Sequence, residues 1–131
     1  DDPLLVVTTP QPSSASLGGR LMADLLATAP DVDAVFCNND DVALGALFEC
    51  QRRGIRVPSQ IGIVGFNDLD VVSVSVPSIT SVRTHRYEMG VEAVRMIGAA
   101  LENDRPETAV INQGFSLMVR QSTQRQESVG A

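Results

Sequence analysis

The feature that most limits the fold of this chain is the alternation of short apolar runs with longer amphipathic segments. Residues 4–9, 32–37 and 61–66 are largely apolar and contain many β-branched side chains, which is typical of strands. Residues 17–29 and 41–53 lie between them and repeat apolar side chains at helical spacing. Strands that alternate with helices form a parallel sheet with right-handed connections. The sequence therefore predicts an α/β fold, a parallel sheet flanked by helices.

Local signals indicate where the two predicted helices begin and end. The first helix is expected to stop at Pro30, which cannot continue it, and the second at Gly54. Asp40 is the expected N-cap of the second helix because aspartate is among the best capping residues, and Asn39 is the other candidate. Both helices are therefore bounded by residues with a clear physical role.

The second half of the chain continues the pattern less regularly. Residues 79–84 predict another strand and residues 86–102 a third helix. Residues 109–111 and 115–119 predict two last short strands separated by Gly114. The polar residues 123–131 are expected to form a flexible tail.

Composition excludes some partners. The net charge of −6 and the pI near 4.6 argue against a grip on a phosphate backbone, which needs clustered Lys and Arg. Cys37 and Cys50 lie outside any zinc-ligand spacing and fit buried free thiols in a reducing cytoplasm. No run of 18 apolar residues or basic leader is present, so we expect a soluble protein. The opening Asp1, in place of methionine, suggests a piece of a longer protein.

Polar side chains follow the first three predicted strands, at the point where each strand ends. Ser13 comes after the first, Asn39 after the second and Asn67 after the third. Ligands of parallel sheets bind at the carboxyl ends of the strands, and amides and hydroxyls suit a polyhydroxylated ligand. Capping by Asp40 and an Asx turn at Asn67 and Asp68 are the structural alternatives.

Enzyme chemistry is not indicated. The lone His85 has no Ser or Cys nucleophile in a recognisable setting, and the common nucleotide, zinc-protease and hydrolase motifs are missing from the sequence. We therefore expect no catalytic residue, metal or cofactor. Arg83, His85 and Arg86 form the one locally basic stretch, and each is a candidate contact for a ligand carboxylate.

Residues 33–70, DAVFCNNDDVALGALFECQRRGIRVPSQIGIVGFNDLD, closely resemble the core of the lactose/galactose-repressor family of bacterial transcription regulators. Within that family, FCNND, FECQRRG and TSVRTHRYEMG resemble gluconate-utilisation repressors most. The matching motifs are N-D at 39–40, A-L-G-A at 43–46, G-I-R-V-P at 54–58, G-F-N-D at 65–68, P-S-I-T-S-V at 77–82, M-G at 89–90 and V-R-Q-S at 119–122.

The resemblance implies one lobe of a two-lobed, periplasmic-binding-protein-like domain that binds its effector between the lobes. Residues 1–122 would be the C-terminal lobe, except that the helix at 86–102 would belong to the other lobe. Its apolar face is then expected to be exposed or to associate with another copy. The implied effector-binding residues are Ser13, Asn39, Phe66, Asn67 and Thr84.

Three departures from the family pattern bear on the ligand. Many relatives have an aromatic residue at the position of Ser13 and a glutamine at that of Thr84, so a smaller or open-chain ligand is expected. Asn67 replaces the commoner aspartate, and an uncharged amide repels an anion less. These departures favour gluconate or a phosphorylated derivative.

The resemblance implies a cytoplasmic repressor that forms a homodimer or a higher homo-oligomer and reaches operator DNA only through a separate N-terminal helix-turn-helix domain. The sugar or sugar acid would control operator binding allosterically, without contact with a membrane. The exposed parts of residues 42–53 and 71–76 are the candidate dimer surfaces. The alternative is an extracytoplasmic sugar-binding protein of a transporter, which shares the fold.

Overall fold

The computed structural model of this protein describes residues 5–102 and 110–125. Helices and strands alternate through most of these residues, as the apolar pattern predicted. The elements, in chain order, are α1 Ala15–Thr28, β1 Ala34–Phe36, α2 Asp40–Arg52, β2 Gly62–Phe66, α3 Asp70–Val74, β3 Thr80–Thr84, α4 Arg86–Leu101 and β4 Phe115–Met118.

The strands form one mostly parallel sheet in the order β1-β2-β3-β4. Val35 of β1 pairs with Ile63 of β2, and the next pair of strands places Phe66 beside Val82, both in parallel register. β4 runs antiparallel to β3 and closes the other side of the sheet. The predicted α/β architecture, a parallel sheet flanked by helices, is confirmed, with one antiparallel edge strand added.

The core lies between the sheet and helix α2. Leu47 and Cys50 of α2 pack with Ile63 of β2 and Ile79 before β3, and all four side chains are buried. Helix α1 covers α2 at very short range, since a Cβ atom on Gly18 would lie 2.8 Å from the Cα atom of Val42. Only a glycine at this crossing lets the two helices approach so closely.

The predicted first strand, residues 4–9, is wrong for the residues that the structure describes. Leu4 lies outside them, and Leu5–Thr9 pairs with no strand. A cavity of about 1010 Å³ lies between this segment, α1 and β1. An extended segment becomes a strand only when a neighbour satisfies its peptide groups. In the described chain no such neighbour reaches it, and Phe36 on β1 is 65% exposed beside the cavity.

Of the two strands predicted near the end of the chain, one is confirmed and one is wrong. The predicted strand at 115–119 is confirmed as Phe115–Met118, and Gly114 before it has a positive φ of 68°. The other predicted strand, at 109–111, is wrong for Val110 and Ile111, which belong to no strand, and Ala109 lies outside the described residues. Most of the predicted tail, residues 126–131, also lies outside them.

Helix α4 confirms the helix predicted at 86–102, but it packs differently from α1 and α2. It buries none of its residues, and Val94 and Leu101 are 70% and 80% exposed. Its apolar face therefore has no cover within the described chain. None of the helices in the part that the structure describes is long and apolar enough to cross a membrane.

Candidate functional site

The residues predicted to bind a ligand lie at the carboxyl ends of the parallel strands. Asn39 follows β1, Asn67 directly follows β2, and Thr84 is the last residue of β3. Parallel strands end at the same edge of a sheet, which is where ligands of such sheets bind. The Nδ2 group of Asn39 donates to Ser13 Oγ at 2.7 Å, so Ser13 joins this edge from the segment before α1.

Asn39, and not Asp40, caps helix α2. Its backbone is extended, and its Oδ1 accepts a hydrogen bond from Val42 N at 3.0 Å. The prediction that Asp40 is the N-cap is therefore wrong, and α2 begins one residue earlier than the predicted 41–53. Asn39 is the better cap here because its amide has both an acceptor for the helix and a donor for Ser13.

Asp40 instead points into the protein, where it is fully buried. Its Oδ2 accepts from Leu69 N at 2.6 Å, and its Oδ1 accepts from Ser81 Oγ at 2.7 Å. Gly65 of β2 leaves room for it, since a Cβ atom there would collide with Oδ1. The carboxylate therefore joins the start of α2 to the loop after β2 and to strand β3.

The loop after β2 has an unusual backbone. Asn67 and Asp68 have positive φ angles of 103° and 54°, a region that residues other than glycine rarely adopt. The Asx turn considered for Asn67 would have its side chain accept from Leu69 N, but that amide donates to Asp40. The Asn67 side chain makes no hydrogen bond with any described residue.

Asp68 turns its side chain inward between two arginines. Its Oδ2 accepts from Arg83 Nε at 2.7 Å, and its Oδ1 lies 2.6 Å from Arg120 Nη2. That second contact is an ion pair without hydrogen-bond alignment, and Oδ1 is the buried side-chain atom lacking a hydrogen bond within the described ranges. Burial would raise the pKa of Asp68, but Arg120 and then Arg83 outweigh burial and lower it.

Phe66 and Thr84 line a second cavity, of about 460 Å³, beside the edge that carries the asparagines. Val82 and Met89 also line it, together with residues 111–115. The larger cavity lies at the open side of β1 and reaches this edge only at Ser13 and Asn38. The polar side chains at this edge therefore identify the candidate site better than cavity volume does, because a ligand with several hydroxyls needs fixed polar partners.

The predicted basic contacts are placed unequally. Arg83 is already paired with Asp68, although its side chain stays half exposed. His85 precedes α4 without a side-chain capping bond, and Arg86 is exposed at the first position of that helix. Neither of these two makes a side-chain hydrogen bond or ion pair with a described residue. In the same ranges, no group of three or more His, Cys, Asp or Glu side chains is arranged to hold a metal ion.

Sequence reasoning missed Ser81 and Arg120 and misread Asp40. Ser81 and Asp40 are buried, and Arg120 contacts Asp68 from beyond β4, so their roles depend on residues far away in the chain. One signal was present in the motif G-F-N-D, because a glycine inside a strand suggests that another group approaches the backbone closely. At Gly65 that group is the carboxylate of Asp40.

Comparisons with known proteins give one consistent result. The model of the periplasmic binding protein-like domain family matches residues 3–123. The HTH-type transcriptional regulator GntR of Pseudomonas aeruginosa is 46% identical over 122 residues, which are 93% of this chain and 36% of that protein. The chain thus spans about a third of the length of the curated relatives it matches.

Solved structures of transcription regulators superpose on this chain. The crystal structure of the transcription regulator GntR from Chromobacterium violaceum superposes with a TM-score of 0.87 at 40% identity, over 94% of this chain and 45% of that one. A complex of the transcriptional regulator CelR with cellobiose superposes with a TM-score of 0.79 at 35% identity, over 83% and 33% of the two chains.

Proposed function

The chain belongs to the periplasmic binding protein-like domain family and is part of the effector-binding domain of a lactose/galactose-repressor-type regulator, and we propose that this regulator senses gluconate or a phosphorylated derivative. Residues 1–122, apart from α4, would form its C-terminal lobe. The ligand would lie between this lobe and a second one. The domain would bind its ligand without converting it.

One observation carries the choice of an anionic ligand. Asp40 and Asp68 directly follow Asn39 and Asn67, yet both carboxylates are turned inward and held by protein donors. The binding edge therefore offers amides and hydroxyls where two carboxylates would otherwise repel an anion. The resemblance of the chain to gluconate-utilisation repressors points to the same ligand class.

Each proposed contact has a distinct role. Asn67, Asn39 and Ser13 would hydrogen-bond to the hydroxyls of the ligand, because amides and hydroxyls both donate and accept. Thr84 and Phe66 would border its carbon chain on the side of the smaller cavity. Arg83, His85 and Arg86 are the candidates for the ligand carboxylate or phosphate, and an arginine can bind either through two parallel hydrogen bonds.

The exposed apolar face of α4 supports the proposed division of the domain, in which this helix returns to the second lobe. A helix with apolar residues on one side and none of them buried needs another cover. The two lobes would then shift between populated arrangements when a ligand binds. Such a shift of populations can change how an N-terminal helix-turn-helix domain sits on operator DNA, and coupling is reciprocal between the two sites.

The regulator is proposed to act in the cytoplasm as a homodimer. Phe48 of α2 is exposed, as are Val71, Val74 and Val76 around α3. Gln51 Nε2 donates to the carbonyl oxygen of Val76 at 2.8 Å, which joins these two groups into one surface. An exposed apolar patch of this kind is typical of an association surface.

Calorimetry on the full-length regulator tests the ligand. Gluconate, 6-phosphogluconate, ribose and a purine base are titrated separately, and we expect heat of binding with one or both sugar acids only. Asn67→Ala should weaken that binding, and Ser59→Ala, an exposed change just before the amino end of β2, should leave it unchanged. Binding of ribose or the purine without binding of either sugar acid would contradict the proposal.

A further inference from the structure

The fully buried side chain of Asp40 has no counterion in the described chain. Taking a carboxylate out of water is strongly unfavourable unless hydrogen bonds and dipoles replace the water. Here the replacements are the amide of Leu69, the hydroxyl of Ser81 and the N-terminus of α2. Because Asn39 already caps α2, capping of that helix does not explain the burial of Asp40.

Through its two hydrogen-bond donors, Asp40 holds the loop after β2 in position. Ser81 Oγ donates to Asp40 and also accepts from Asp68 N at 3.0 Å, so it relays the position of the carboxylate to Asp68. Leu69 N contacts Asp40 directly. Asp40 thus holds, directly or through one hydroxyl, both peptide N–H groups that follow Asn67.

Those N–H groups sit where the backbone is strained. Two consecutive residues other than glycine with positive φ are unfavourable, and such a conformation persists only where its surroundings hold it. The amide of Asn67 donates to Val82 O at 2.9 Å, and the next two amides end at Ser81 and Asp40. Three consecutive hydrogen bonds therefore fix the loop in this conformation.

The carboxylate itself has little room to move. Gly65 lies against it, with space for no Cβ, and the Cβ of Ala43 would lie 3.2 Å from one placed there. The opposite side of the loop is held by Arg83 and Arg120 through the side chain of Asp68. The group that stays free of all these contacts is the side chain of Asn67.

We infer that Asp40 is a positioning residue of the ligand site, acting through Ser81 and the Leu69 amide to hold Asn67 with its side chain presented to the ligand. This inference rests on the proposed ligand role of Asn67. It assigns the affinity of the site in part to a buried residue that touches no ligand.

The test compares Asp40→Asn with the matched control Asp41→Asn in the full-length regulator. Both changes remove one charge from the first turn of α2, but Asp41 is exposed and makes no side-chain hydrogen bond or ion pair with the described loop. At position 40 an amide has one uncharged acceptor oxygen in place of two charged ones, so the hydrogen bonds from Leu69 N and Ser81 Oγ cannot both be kept as they are. Ser81→Ala is a second variant, which removes the relay and leaves the Leu69 contact.

Two measurements are made on each variant. Hydrogen exchange of a peptide covering residues 66–72, without ligand, reports how firmly the loop is held. Calorimetry with D-gluconate reports affinity per folded molecule, which a loss of global stability alone would not change. For Asp40→Asn we expect loop exchange and the Kd to rise at least tenfold, with Ser81→Ala intermediate and Asp41→Asn close to the wild type.

The inference is overturned if Asp40→Asn and Asp41→Asn give the same loop exchange, or if the loop loosens while the Kd stays unchanged. If the wild-type protein binds no gluconate, the ligand assignment fails instead. The exchange data then decide alone whether Asp40 holds the loop. If Asp40→Asn does not fold, Ser81→Ala against Asp41→Asn gives the same comparison.

Discussion

Gly18 and Gly19 are neighbours in α1, and the same substitution is expected to have opposite effects at the two positions. A Cβ atom on Gly18 would lie 2.8 and 2.9 Å from the Cα and carbonyl carbon of Val42 in α2. A Cβ atom on Gly19 would meet only the end of the Arg52 side chain, at 3.1 Å, and Gly45 O at 3.5 Å. Backbone cannot move aside, whereas a flexible side chain can.

The gain in helix propensity is the same for both substitutions. Replacing glycine by alanine inside a helix is favourable by about 1 kcal/mol. Overpacking usually costs about 1–3 kcal/mol, and the upper value applies to Gly18 because α1 and α2 must separate. We therefore expect Gly18→Ala to destabilise the fold by about 2 kcal/mol, and Gly19→Ala to be neutral or stabilising by up to about 1 kcal/mol.

Urea unfolding followed by far-ultraviolet circular dichroism measures both free energies. With a slope near 2 kcal/mol per M, Gly18→Ala should lower the unfolding midpoint by about 1 M, and the slope itself should not change. Gly19→Ala is the internal control because its propensity term is identical. Equal shifts of the two midpoints in the same direction would refute the argument from helix contact.

Three further outcomes follow from buried groups. Ser122→Ala leaves an amide of β3 and a carbonyl of β2 without their hydroxyl partner. Thermal unfolding should therefore show that the free energy of unfolding falls by about 2–3 kcal/mol. The exposed Ser16→Ala should lower it by less than about 0.5 kcal/mol. Burial raises the pKa of Cys37 to about 12 and that of Cys50 to about 11, so a thiol reagent at pH 8 should react with them only after denaturation; rapid native labelling would contradict this. The folded-state pKa of Asp68 is lowered, so its contribution is present above the unfolded pKa of about 3.9 and lost as pH falls through the folded value. Asp68→Asn should therefore make stability less dependent on pH below about 4, and an unchanged acid unfolding curve would contradict the ion pairs.

Much of the fold could be predicted because its signals are local. Pro30 and Gly54 mark the ends of α1 and α2 closely, and the apolar run at 61–66 predicted a strand, which β2 confirms. The five-residue helix α3 carries too short a pattern to be recognised and was not predicted. Residues 4–9 have the composition of a strand, but a strand also needs a partner, which composition does not supply.

The candidate site was predicted in outline for a similar reason. Strand order places Asn39, Asn67 and Thr84 at one edge once the sheet is parallel, and no side-chain geometry is needed for that step. The contact between Asn39 and Ser13 extends the same edge. The roles of Asp40 and Asp68 were not predictable. An aspartate at position 40 has the chemistry of a good cap, and the sequence does not show whether its side chain faces the solvent or the interior.

The sequence by itself therefore determined the alternation of elements, the family and the chemistry displayed at the carboxyl edge, since each depends on neighbours in the chain. Tertiary structure alone decided that Asn39 is the cap, that Asp40 is buried beneath Gly65, and that Asp68 lies between Arg83 and Arg120. Hydrogen bonds and ion pairs act over about 3 Å, and here they join residues that the chain separates by 15 positions, as for Asp68 and Arg83, to 52 positions, as for Asp68 and Arg120. Only folding brings such residues within that distance.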